Sequence, residues 1–380
     1  MAQNNFSTQD LVAVAQGGEL PLTLLKIGQQ ADLKRAELSI EHLLEKAWTT
    51  PVDYPSITES IFAGDVVALV VDSEEQVVHE LAKQLAVRLR ASTECEVHIV
   101  VTERDGKQFW TESLGDIEIT RHNPDDDQAM AMLAIDGRDQ PIYINRVLFD
   151  ADVAIPVTEK ISGPPSAEDC VVPNFLGTEN QAFFRDASNA ERRAEIRLVN
   201  QHLGTFMQFQ VSVGVGGKLS QLWFGEREAV EGLAERENRA AWQVNLSTSS
   251  PIVIGTIEGT SSAQNWSEIV KAIRTLDQIA APNAPIVISC SIDQLPSKAI
   301  RRALSRESSS SKGTSQELNE LSEIAASHPL FLHSGLSAAD TESLGFGNVN
   351  QLGELKRLLE RFGPGTMLRD AHRCQFEGVE

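Results

Sequence analysis

The chain has 380 residues, 41% of them apolar and 23% charged, the make-up of a globular protein long enough for two domains with separate cores. Its 54 acidic against 33 basic residues give a formal charge of −21, a field that repels phosphate backbones and argues against a nucleic-acid partner. The first thirty residues lack a basic start followed by an apolar core, and no window reaches the roughly 18 apolar residues of a membrane helix, so a cytoplasmic protein without a membrane partner is expected.

Residues 1 to 20 are polar and rich in Gln and Asn, a loose arm or short helix. Leu22 to Ile27 has the composition of a first strand, and Ile40, Leu43 and Leu44 have helical spacing before Pro51. Gly64-Asp65 launches the apolar run Val66 to Val71, which suits a strand buried on both faces of a parallel sheet. Ser73 with Gln76 reads as a capping box for a helix to about Ala91, and Glu96 to Thr102 repeats the strand, completing a right-handed β-α-β crossover. His122 beside Asp125, Asp126 and Asp127 reads as a solvated turn, and the three carboxylates as a helix start, since they lack the alternate spacing of a calcium loop.

Val153 to Val157 is a second buried-strand run, and it breaks into Ser162, Gly163, Pro164 and Pro165. Ligands of open α/β sheets gather at loops leaving the carboxyl ends of strands, so this loop is the first candidate for chemistry. Ala187 to Leu203 reads as a helix, and Phe206 to Gly214 with Lys218 to Gly225 as a hairpin about Gly216-Gly217. Gly214 to Lys218 lacks the spacing of a phosphate loop. Glu226 to Trp242 is a charged helix.

A second alternation of strands and helices starts near Ser249. Its strands are Pro251 to Thr256, Ala284 to Ser291 and Pro329 to His333; its helices are Trp266 to Ile279, Leu318 to Ala326 and Leu352 to Phe362. Glu307 to Gly313 is a Ser-rich connector. The expected architecture is α/β in two domains, 1–245 and 246–380, each a mostly parallel sheet flanked by helices, with a cleft between them. Cys95, Cys170, Cys290 and Cys374 are far apart without metal-ligand spacing and read as buried reduced thiols. His98, His328, His333 and His372 read as structural.

The wording of the central stretch resembles a known family. Ile144, Asn145 and Arg146 precede Ala151 and Asp152, Ser162-Gly163 and Pro173-Asn174 follow, and Thr158 to Arg185 aligns without a gap to the signature loop of the nickel-pincer lactate racemases. That family inverts 2-hydroxy acids by moving a hydride to a lysine-anchored nickel pincer nucleotide while two histidines exchange a proton. The resemblance implies where the corresponding groups fall. Glu159 stands at the loop histidine, Asp169 at the cofactor-bearing lysine, Arg185 at the metal-ligand histidine, and Glu103 at the second proton-transfer histidine. Asp72-Ser73-Glu74-Glu75 stands at the family's Asp-His-Thr-Arg, so Glu75 replaces the guanidinium that grips the substrate. Arg104 and Lys160 are the nearest cations by motif position that could compensate.

A carboxylate at Asp169 cannot form the lysine linkage, and a permanently protonated Arg185 has no lone pair for nickel. The expectation is therefore no pincer cofactor. Three readings stay open: a nickel-independent racemase or epimerase with Glu103 and Glu159 as an acid/base pair, a non-catalytic binder or sensor of a small hydroxy acid or sugar acid, and an assembly partner. In the first two, Asp72, Glu75, Arg104 and Lys160 bind the ligand. A homo-oligomer is compatible with all three.

Overall fold

The computed structural model describes residues 7–25, 27, 39–73, 75–102, 110, 114–159, 170–244, 249–259, 264–305 and 316–376. The chain divides into two compact units. A mid-chain unit comprises Ala36–Gly214 with Lys218–Asn238, and a terminal unit comprises Met1–Arg35, Val215–Gly217 and Arg239–Glu380.

In the mid-chain unit the run Val66–Val71 is the strand its composition implies, and the pleat explains why nearly every residue in it is apolar. Val67, Leu69 and Val71 enter one core with Leu81, Leu85 and Leu89 of helix Gln76–Thr93, while Ala68 and Val70 enter another with Leu176, Phe184 and Val199. Each large side chain so buried contributes about 1.5–3 kcal/mol. The expected crossover is present, closing through strand Glu96–Val101, which pairs parallel with Val66–Val71. The expected cap is not. Ser73 Oγ accepts the Glu75 N–H at 3.1 Å, and Glu75 itself is the residue before the helix, because the chain needs two more extended residues to leave the strand.

Across this sheet the strands run Glu118–Arg121, Glu96–Val101, Val66–Val71, Val153–Glu159, Met207–Gly214, Lys218–Glu226. Numbered by chain order that is 3-2-1-4-5-6, with the first five parallel and the last antiparallel through the hairpin foreseen at Gly216-Gly217. Helix Gln76–Thr93 covers one face, and Phe184 and Val199 of helices Thr178–Asp186 and Asn189–Leu203 cover the other. The winding thus reverses between Val66–Val71 and Val153–Glu159. Gly225 admits a further segment: Val52 N–H donates to Phe224 O at 2.8 Å, and a Cβ on Gly225 would lie 2.0 Å from Val52 O. A separate antiparallel pair, Met130–Ile135 with Pro141–Asn145, packs its inward side chains into the second core.

The terminal unit has a six-stranded, wholly parallel sheet in the order Leu22–Leu24, Gly365–Leu368, Val253–Thr256, Ile286–Ser289, Leu330–His333, Gly347–Asn348. Val253, Ile286, Ile288, Leu330 and Leu332 pack under helices Trp266–Asp277 and Gln316–Ser327; Ile252, Ile254, Val287 and Met367 pack under helices Thr8–Gln16 and Leu352–Phe362. Gly255 permits the close approach of the first helix, since a Cβ there would lie 2.6 Å from Leu276 Cδ1.

The division in the chain differs from a single boundary at 245. Leu22–Leu24 pairs with Gly365–Leu368, which draws the amino-terminal residues into the terminal unit. Gly365–Leu368 was hidden in the sequence because Gly363-Pro364-Gly365 reads as the end of ordered structure. All four cysteines are buried and none forms a disulfide. The Ser-rich stretch at 307–313 lies outside the described residues. No described helix is long and apolar enough to cross a membrane.

Candidate functional site

Val71 lies opposite Val157 at the strand reversal of the mid-chain unit, so Asp72 follows one strand and Glu159 ends the other at the same edge of the sheet. Such an edge is where open α/β sheets place ligands. Thr102, the residue after the next strand, donates its hydroxyl to Asp72 Oδ1 at 3.2 Å, and Asn174 Nδ2 donates to Asp72 Oδ2. Cys170 points its thiol at Val70 O, 3.4 Å away. One carboxylate therefore ties the ends of two strands to the 170–176 segment, through hydrogen bonds strengthened by its charge.

The pleat sorts these groups. Ala68, Val70 and Val100 share a core with Cys170, Val172 and Phe175, and Asp72 and Thr102 continue that alternate set. Glu159 continues the set of Ile155 and Val157, which belong to the opposite face. Asp72 and Glu159 share an edge of the sheet and fall on opposite sides of it by alternation.

Helix Gln76–Thr93 begins at this edge, and Glu75 before it is buried, placing a carboxylate where the helix dipole favours one. His79 in its first turn is buried edge-on to Trp110, and burial pulls its imidazole down to about 4, so it is neutral. His122 corrects the sequence reading. It is buried, its Nε2–H donates to Leu176 O at 3.1 Å, and its Nδ1 accepts from Asn145 Nδ2 at 3.3 Å. The imidazole turns inward to hold the 171–176 segment, while Asp125, Asp126 and Asp127 stay in solvent and Asp126 caps the short 3-10 turn Asp127–Ala129.

Of the residues singled out from the sequence, Asp72, Glu75 and Glu159 lie at this edge. Arg185 is exposed in the last turn of helix Thr178–Asp186, where its carbonyl accepts Arg192 Nη2 at 2.8 Å. Glu103, Arg104, Lys160 and Asp169 lie outside the described residues. Sequence reasoning passed over Thr102, Asn174 and His79. It also passed over a polar ladder on strand Met207–Gly214, where Gln208 Nε2 donates to Gln210 Oε1 at 3.2 Å and Ser212 Oγ meets Asn238 Oδ1. Gln210 pairs with Thr158, on the same face as Asp72. Polar residues at every second position of an otherwise apolar strand were the available signal.

The nickel group that the resemblance implies does not fit the donors. Arg185 carries no lone pair, and Asp169 carries no amine. Among the described residues no three His, Cys, Asp or Glu side chains converge as a metal-binding group.

These features define a class: an α/β protein of two doubly wound units, with a hydrogen-bonded polar edge at the strand reversal of one. Among solved structures, the lactate racemase apoprotein from Thermoanaerobacterium thermosaccharolyticum is similar, with a TM-score of 0.64 at 14% identity over 90% of this chain and 94% of that one. A protein from Thermotoga maritima is similar with a TM-score of 0.60 at 12% identity, over 90% of this chain and 98% of that one. Likeness at these identities shows the fold, and it is the fold the sequence phrases implied. No family model matches the chain, and no curated protein matches its sequence.

Proposed function

We propose that this lactate-racemase-like protein binds a small hydroxy acid or sugar acid at the carboxyl ends of the central strands of the mid-chain unit. The observation that carries the reading is the Asp72, Thr102 and Asn174 assembly at the strand reversal, in a chain whose fold matches lactate racemase over 90% of its length. Asp72 retains lone pairs that accept from a ligand hydroxyl, and the start of helix Gln76–Thr93 favours a ligand carboxylate. Arg104 and Lys160, from the loops that leave the same strands, offset the repulsion of Glu75 in this proposal.

A second reading adds turnover without nickel, with Glu103 and Glu159 as acid and base; the position of Glu159 at the end of its strand on this edge favours it. A thermal-shift series with lactate, gluconate and gluconolactone tests binding, and deuterium uptake from heavy water into a stabilising ligand tests turnover. Stabilisation without uptake supports the binder. Uptake that Glu159→Gln abolishes in a folded protein supports the enzyme. Absence of any shift with all three compounds at millimolar concentration removes the ligand class proposed.

A further inference from the structure

The terminal unit has a strand reversal too, between Val253–Thr256 and Gly365–Leu368, and buried charges gather at the carboxyl ends of those strands. Arg369 forks onto Glu258, Nε to Oε1 at 2.7 Å and Nη2 to Oε2. Asp370 is held differently. It is 1% exposed, its backbone is left-handed at φ 44°, and its two oxygens accept backbone N–H groups from two other segments: Oδ1 from Glu258 at 2.7 Å and Oδ2 from Gly216 at 2.8 Å. Its own N–H reaches Thr256 Oγ1 at 3.3 Å.

The two N–H donors are not equally fixed. Glu258 follows Ile257, whose N–H is bonded to Ser289 O at 2.9 Å in the sheet. Gly216 sits in the turn Val215–Gly217, where Gly216 and Gly217 both have positive φ. An ionised carboxylate accepts both donors. Protonated, one oxygen becomes an O–H that confronts an N–H, and one donor must lose its acceptor. The sheet holds Glu258, so Gly216 is the one displaced.

We propose that Asp370 is a proton-operated latch for the Val215–Gly217 turn: ionised it holds Gly216, and on taking a proton from solvent it releases Gly216 while keeping Glu258. The proton is within reach at mild acidity. Burial and then the neighbouring Glu258 carboxylate push the Asp370 carboxyl up to about 6, against the pull of its two N–H bonds and of Arg373. The other groups that face it are set. Arg369 is engaged by Glu258 and Arg373 lies over the Trp242 ring. Burial keeps His372 neutral and holds Cys374 as a thiol, and Lys271, on helix Trp266–Asp277, is paired with Glu268 at 2.8 Å. The turn contributes no charged side chain.

The test is a pH titration of the full chain by amide and carboxyl NMR. The Gly216 amide and the Asp370 carboxyl carbon should move with one common midpoint near 6, with Gly216 hydrogen-exchange protection falling about tenfold below it and Glu258 protection kept. Asp370→Asn should flatten the Gly216 titration, and Glu258→Gln should lower the midpoint by removing the like charge. If Asp370→Asn does not fold, the coincidence of the two wild-type midpoints decides. A Gly216 amide that stays flat while Asp370 titrates, or one that still titrates in Asp370→Asn, overturns the latch.

Discussion

Replacing Asp370 by Asn gives a quantitative check on the electrostatics of the terminal unit. Asn has nearly the same shape and tolerates the left-handed backbone at φ 44°, so the change isolates the charge. The carboxyl is raised from 3.8 to about 6, a shift of about 2 units, which at ~1.4 kcal/mol per unit corresponds to about 3 kcal/mol. The sign follows from the raised value. The contribution is fully present below the unfolded value near 3.8 and is lost as pH rises through about 6, because the folded state must then carry a buried charge. The two backbone N–H bonds return less than that burial costs, which is why the same carboxyl accepts a proton readily. Asn is neutral throughout, and its difference from wild type should shift by about 2–3 kcal/mol in favour of the variant between pH 4 and pH 7.5. Urea unfolding read by hydrogen exchange in peptides from residues 363–376 reports this unit alone. A difference that stays constant with pH would show that Asp370 is ionised at no net cost, and the reasoning fails.

Other outcomes follow from single contacts. Asp72→Ala should fold but lose ligand-induced thermal stabilisation, because Thr102 and Asn174 lose the acceptor that aligns them; retained stabilisation would move the site elsewhere. Gly225→Ala should lower the melting temperature by on the order of 5 °C or more, since its Cβ meets the Val52 backbone, and scanning calorimetry measures it. His79 is depressed to about 4, so the stability it contributes is present above about 6.5 and lost as pH falls through 4; His79→Phe should remove up to about 3 kcal/mol of that acid sensitivity in urea melts. Leu85→Ala should cost about 2–5 kcal/mol, as it empties a fully buried position between helix Gln76–Thr93 and its sheet.

The long apolar strands and the periodic helices were legible because burial on both faces leaves no choice of residue: Val66–Val71, Glu96–Val101 and Ile286–Ser289 lie where their composition put them. The short strands were not. Leu22–Leu24 and Gly365–Leu368 are strands only because each finds the other, and pairing across more than 300 residues leaves no local mark. His122 misled for a similar reason, since an acidic neighbourhood in sequence says nothing about Leu176 and Asn145, which the fold brings to its two ring nitrogens. At the candidate site Asp72 was legible through its motif. Its partners Thr102 and Asn174, from segments 30 and 102 residues away, were not.

The pairing of Leu22–Leu24 with Gly365–Leu368 also sets an order of events during synthesis. Ala36–Asn238 can close around its sheet while the ribosome is still translating the remainder, whereas the earliest strand made must wait, edge open, for almost the last residues to emerge. A fragment that begins after residue 35 or stops before 365 leaves that sheet without a member, so trimming either end for expression should yield an aggregating product even though the middle folds.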